Sequence, residues 1–284
     1  MDPRVLVVRN ADCDPPGRLA DWLPEAGLAL DVVDGADLPA NLAGYQGLIV
    51  LGGPMGATDD TATPWLAHER ALLRAAVSDE LPTLAICLGA QLLAVAHGGR
   101  VAPNPDGPEF GAQLIAKRAA AASDPLFGPL PITPDVIQWH HDAITVLPPG
   151  AVQLASSPGC TNQAFRLGRL AWGLQFHIET EPDVVRGWAA LDADHLAGYD
   201  VELLLSRADA AHADVAEVWR PFVHAFADVL RDPASVSAPR GVPSSTAAPV
   251  TDPAAIRAAL AAEAAAANAS RAALPMPTPR GDDI

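Results

Sequence analysis

The sequence is short of several things, and each shortage excludes something. It has 3 cysteines in 284 residues, Cys13, Cys87 and Cys160. An odd, widely spaced set makes neither a disulfide framework nor a Cys-x-x-Cys metal site, and it points to a reducing, cytoplasmic compartment. Positive charge is scarce: 18 basic residues against 34 acidic ones leave a net charge of −16. Nucleic acids and anionic membranes recruit cationic surfaces, so neither is expected as a partner. No apolar run is long enough to span a bilayer, because Arg257, Glu263, Asn268 and Arg271 interrupt the alanine-rich tail. The apolar run within residues 1–9 is too short for a signal peptide and is bounded by charge. There is no internal repeat.

What is present is a chain that is 50% hydrophobic, enough to bury a sizeable core. Residues 5–8, 28–33, 47–51 and 82–87 form short apolar runs of the kind found in strands covered on both faces. Helical patterns alternate with them. One covers 18–26 and ends at Gly27, one follows Thr63 as N-cap with Pro64 in its first position, and one covers 90–97 and closes on Gly98-Gly99. This alternation predicts an α/β fold with a mostly parallel central sheet flanked by helices. Segments 110–117, 136–139, 152–156, 163–167 and 170–177 then read as strands of a smaller antiparallel sheet. Two C-terminal helices follow. The stronger one gathers Val215, Val218, Trp219, Phe222, Phe226, Val229 and Leu230 on a face expected to pack back on the domain. The domain is expected to occupy residues 1–233. Residues 234–284 are rich in Ala, Pro and Ser and read as a flexible tail, with some helical propensity over 254–274.

Three short stretches carry chemistry. Cys87 stands where a buried strand runs into a helix. A tight turn there lifts the side chain out of the sheet, and the helix N-terminus favours negative charge. Taken alone, Cys87 fits a buried structural cysteine as well. His177 and Glu179 share one face at the end of a strand, a base with a carboxylate to orient it. Alone they fit a surface pair, or two ligands of a metal triad completed by His195 or His212. The loop Gly52-Gly53-Pro54-Met55 follows another strand and can offer backbone N–H groups to an oxyanion. It lacks the ending of a P-loop and the spacing of a dinucleotide fingerprint, and alone it fits a tight turn. All three fall at carboxyl ends of predicted strands, the edge where open α/β sheets bind ligands.

In this order, the Gly-Gly-Pro loop at Gly52, Gly53 and Pro54, the Cys-x-Gly-x-Gln stretch from Cys87 to Gln91 and the His-x-Glu pair resemble the class I, triad-type glutamine amidotransferases. The likeness extends to stand-alone proteins similar to the glutaminase domain of GMP synthase. It runs from about Arg4 to Trp188, and Asn162-Gln163-Ala164-Phe165 also matches that subgroup. The resemblance implies a flavodoxin-like domain and no cofactor. Cys87 would attack the side-chain amide of L-glutamine. Backbone N–H groups of Gly53 and Leu88 would hold the oxyanion, His177 would move protons, Glu179 would orient it, and Gln91 with the Gly52–Met55 loop would contact substrate. Glu109, Met55 and His140 are further pocket candidates, although a structural role fits His140 and His141 equally.

Two departures stand out: Ile178 replaces the family's usual proline, and Ala112 replaces an aromatic, which is expected to widen the pocket. No nucleotide motif follows Trp188. The implied function is therefore a glutaminase that feeds a separate ammonia-accepting synthetase subunit or acts alone. The alternative is a γ-glutamyl peptidase acting on a larger γ-glutamyl compound. A third reading, a non-catalytic binding protein, conflicts with an intact Cys87, His177 and Glu179.

Overall fold

The computed structural model describes residues 2–239. Of the tail expected over 234–284, residues 234–239 are described and Val236 is buried against the core, while residues 240–284, with the helical propensity at 254–274, lie outside the described residues.

The first half alternates as its sequence pattern predicts. It runs β1 (Arg4–Arg9), α1 (Leu19–Glu25), β2 (Ala29–Asp34), β3 (Gly47–Val50), α2 (Trp65–Ser78), β4 (Thr83–Ile86) and α3 (Leu88–Ala96). Then come β5 (Arg100–Pro103), β6 (Glu109–Leu114), β7 (Ala116–Lys117), β8 (Asp135–His140), β9 (Asp142–Val146), β10 (Val152–Ser156), β11 (Ala164–Leu167), β12 (Ala171–Leu174), α4 (Pro182–Leu191) and α5 (Val201–Arg231). The main sheet has 8 strands in the order β2-β1-β3-β4-β12-β11-β10-β7. Pairing is parallel from β2 to β12 and antiparallel between β12, β11, β10 and β7. Most of the expected antiparallel strands thus extend the main sheet. Two small antiparallel pairs, β5 with β9 and β6 with β8, stand apart from it.

Period two sorts the core. Val5, Val7, Ile49, Leu84 and Ile86 face one side with Leu19 and Leu23 of α1 and Trp219, Phe222 and Phe226 of α5. Leu6, Val8, Leu48, Val50 and Ala85 face the other side with Leu66 and Leu73 of α2 and Leu92 and Leu93 of α3. The apolar face of α5 is therefore buried, as expected, and offers no open partner surface. Among the described residues no helix is long and apolar enough to cross a membrane.

One local expectation needs correction. Helix α2 begins one residue late: Pro64 takes the cap position and no side chain caps it, so Thr63 is outside the helix. Helix α5 is continuous over 31 residues, with Pro221 inside it and Asp200 capping its start by accepting from the Leu203 N–H at 3.0 Å.

Candidate active site

Cys87 follows β4 and opens α3 with φ 52° and ψ −111°, a conformation L-residues rarely hold. The backbone is pinned on both sides: its N–H donates to Leu174 O at 2.7 Å, and its carbonyl accepts from the Gln91 N–H at 3.0 Å. The helix can start this close to β3 because residue 89 is glycine. A Cβ there would stand 2.3 Å from Val50 O. The elbow thus turns the sulfur out of the sheet into a pocket of about 340 Å³, lined among others by Gly53, Pro54, Met55, Gln91 and His140.

His177 is fixed opposite by a backbone bridge to Ile137 of β8, donating at 2.8 Å and accepting at 3.2 Å. Its Nδ1 donates to Glu179 Oε1 at 2.6 Å, since a carboxylate can only accept. That leaves Nε2 for the sulfur. Both side chains are buried. Burial, the largest influence on His177, opposes its charged form. The Glu179 carboxylate and the Cys87 sulfur outweigh it together and hold the imidazole well above its usual range. Ile178 has a defined part here: its N–H donates to Glu179 Oε2 at 2.9 Å, a bond that proline could not make. Each carboxylate oxygen therefore has a donor.

The glycine loop closes the third side. A Cβ on Gly53 would lie 2.9 Å from Leu88 Cδ2, and one on Gly52 would lie 3.1 Å from His177 Cε1. Gly53, Pro54 and Met55 line the pocket, while Gly52 and Leu88 do not. Gln91 Nε2 donates to Asp142 O at 3.1 Å, tying α3 to the β8–β9 turn.

Several placements differ from expectation. Glu109 does not line the pocket. The β6–β8 register sets it opposite His140, and its carboxylate accepts from His140 at 3.0 Å, Gln163 at 2.7 Å and Ser157 at 2.9 Å. It supports His140 from beneath, as a buried carboxylate with its acceptors filled. Ala112 is also outside the pocket and packs near Trp188 and Ala208, so it does not widen the cavity. His195 and His212 do not complete a metal set with His177. Among the described residues no potential metal group contains His177 or Glu179, and His212 instead meets Thr180 Oγ1 at 3.3 Å.

Sequence reasoning gave no site role to three neighbours of this group. Trp188 of α4 lies over His177, ring centroids 4.5 Å apart, and its indole donates to Cys13 O at 2.8 Å. Trp139 O is 3.8 Å from the Cys87 sulfur. Asp14, in the β1–α1 loop, lines the pocket beside His177, with its pKa raised chiefly by burial. Asp14 and Trp188 arrive by tertiary packing from stretches without a motif.

Behind the glycine loop, Asn10 Nδ2 donates to Glu69 Oε1 at 3.1 Å and to Leu51 O at 3.4 Å. Burial pushes the Glu69 carboxyl from 4.5 up to about 7, against the opposing pulls of Asn10 and Arg70. In the unfolded chain this carboxyl ionises at ordinary pH, so folding binds its proton between the two values. The stability it contributes is complete below pH 4.5 and is lost as pH rises through 7. Glu69→Gln removes that decline. Denaturant melts from pH 4 to 8 are expected to show the variant losing about 3 kcal/mol less than the parent. Parallel curves would mean that Glu69 titrates normally.

Residues 18–186 match the family described as glutamine amidotransferase class-I. The chain is 30% identical over 190 residues to the glutamine amidotransferase-like protein YfeJ of Salmonella typhimurium, across 65% of this chain and 79% of that one. It is 35% identical over 145 residues to the glutamine-hydrolyzing GMP synthase of Christiangramia forsetii, covering 50% of this chain and 26% of the synthase. The chain thus spans about a quarter of that relative. A crystal structure of a glutamine amidotransferase from Thermotoga maritima superposes with a TM-score of 0.72 at 30% identity, over 80% of this chain and 99% of that one. The family match over residues 18–186 and the likeness to solved relatives show that the chain belongs to the class-I glutamine amidotransferases, a family of cysteine-dependent amide hydrolases and transferases.

Proposed function

We propose that this chain hydrolyses the side-chain amide of L-glutamine to glutamate and ammonia through Cys87, His177 and Glu179. The observation that carries the reading is the buried His177–Glu179 bond at 2.6 Å beside a cysteine on a strained elbow. The Cys87 thiolate attacks the amide carbonyl carbon, and the tetrahedral oxyanion is held by N–H groups of Gly53 and Leu88. The carbon–nitrogen bond breaks as His177 gives its proton to the departing ammonia, leaving a γ-glutamyl thioester. Water then attacks the thioester, His177 takes a proton from it, and the thiolate is released. Glu179 keeps His177 charged and aligned, while Gln91 and the loop from Gly52 to Met55 hold the substrate. The ammonia passes to a separate synthetase subunit. The glutaminase and synthetase activities named together in the GMP synthase relatives support that partner.

The test is ammonia release from L-glutamine by the purified full chain, beside release of amino acid from γ-glutamyl dipeptides. Turnover of glutamine above dipeptide is expected. Cleavage of dipeptide alone would replace this reading with the peptidase one. Glu179→Gln is expected to lower kcat by about 10²–10⁴-fold. It should also move the basic limb of the pH profile to lower pH, because the carboxylate that holds the His177 proton is gone. An unmoved limb would take Glu179 out of the mechanism.

A further inference from the structure

A second group of ligand-type side chains converges on the rim of the same pocket. His141 stands between β8 and β9, and Asp192 and His195 follow α4. Asp192 Oδ2 accepts from His141 Nε2 at 2.8 Å, and Oδ1 accepts from His195 Nδ1 at 2.9 Å. The two imidazole rings lie 4.4 Å apart between centroids. One ligand atom from each of the three residues lies within 4.8 Å of the others. The Trp139 indole N–H donates to Asp192 Oδ2 at 3.1 Å, which fixes the carboxylate from outside the cluster. The side chains are 41%, 21% and 62% exposed, in the order His141, Asp192, His195, so an ion can reach them from solvent.

Two imidazole nitrogens and one carboxylate are the donor set of Zn²⁺ and of neighbouring first-row dications. Mg²⁺ and Ca²⁺ prefer oxygen ligands throughout. Ligand atoms on a tetrahedral zinc ion stand roughly 3.4 Å apart at usual bond lengths. The present hydrogen-bond distances need to open by only about half an ångström as the bridging protons leave. The Trp139 bond is the kind of outer contact that orients a ligating carboxylate. A hydrogen-bonded pair explains one histidine on Asp192. The second imidazole, drawn to the other oxygen with its ring tilted 59° to the first, gives the cluster the composition and span of a metal site.

We propose that His141, Asp192 and His195 bind a divalent transition-metal ion, Zn²⁺ by ligand chemistry, at the mouth of the pocket. Three protein ligands leave a fourth position for water or for an anionic group entering the pocket. The ion acts on the route to Cys87 and takes no part in bond breaking, and the site does not depend on the reaction assigned to Cys87.

The experiment uses the full chain carrying Cys87→Ala, purified without a histidine tag, so that the pocket-facing sulfur cannot bind metal. Calorimetric titration with Zn²⁺ is expected to give one equivalent. His141→Ala and His195→Ala, each added to that background, should weaken binding at least about 100-fold. Both replace partly exposed side chains, and circular dichroism confirms the fold. Co²⁺ in place of Zn²⁺ should give visible d–d bands without a sulfur-to-cobalt charge-transfer band. Three results would overturn the proposal: no binding to the Cys87→Ala chain, unchanged affinity in both histidine variants, or a sulfur band, which would move the ion to Cys13 or Cys160.

Discussion

Cys87→Ala is expected to lower glutamine hydrolysis by about 10⁴-fold or more and to leave the fold standing. The size of the loss follows from covalent catalysis. Without sulfur no thioester forms, and what remains is the contribution of the cradle and of substrate binding. Stability should change little, because the substitution removes one atom and keeps the Cβ. The strained backbone is held by the Leu174 and Gln91 hydrogen bonds, which do not involve the side chain. Ammonia release and thermal melts of parent and variant decide it together. Residual activity near the parent level would show that sulfur is not the nucleophile, whatever the rest of the site contains.

The largest expected loss of stability is at Trp219. Its side chain is fully buried between Phe127, Phe176 and Phe222, with ring centroids 6.1, 5.2 and 5.1 Å away. Its indole donates to Asp135 O at 2.8 Å. Trp219→Ala opens a cavity and strands that carbonyl, at a cost of about 3–5 kcal/mol. A melting temperature lower by roughly 10 °C or more is expected. Because Phe176 precedes His177, slack there reaches the imidazole, so activity should fall before the chain melts. A shift of only about one degree would mean that α5 is not part of the cooperative core.

Much of this was legible in the chain because it is local. The β4–α3 elbow, the glycine loop and the His-x-Glu pair are each a few residues long, and each sits where an apolar run ends. The core face of α5 was visible as helical spacing of large side chains. What stayed hidden depends on register and packing. The β6–β8 pairing turns Glu109 under His140 and away from the pocket, and no local pattern encodes that pairing. Strand β5 is half-buried and ends in proline, so it lacks the apolar signature of a strand. Asp14, Trp139 and Trp188 meet His177 or Cys87 from three distant stretches, without a shared motif. The N–H that Ile178 gives to Glu179 was also out of reach, since a departure from a family pattern says nothing about which bond it adds.

The order of the central strands has a further consequence, for synthesis. β12 is the last strand of the main sheet to be made, yet it lies in the middle, between β4 and β11. The strands before it can gather as the chain emerges, but until β12 slides in, β4 has an open edge and the elbow lacks the Leu174 carbonyl that anchors it. Closing the sheet brings together segments about 90 residues apart, a slow, high-contact-order step. Cys87 and His177 thus meet only when that gap is filled. A growing chain holds the Cys87 sulfur without its histidine while the next 90 residues are made, about a third of the 284, and the site is assembled in one late event.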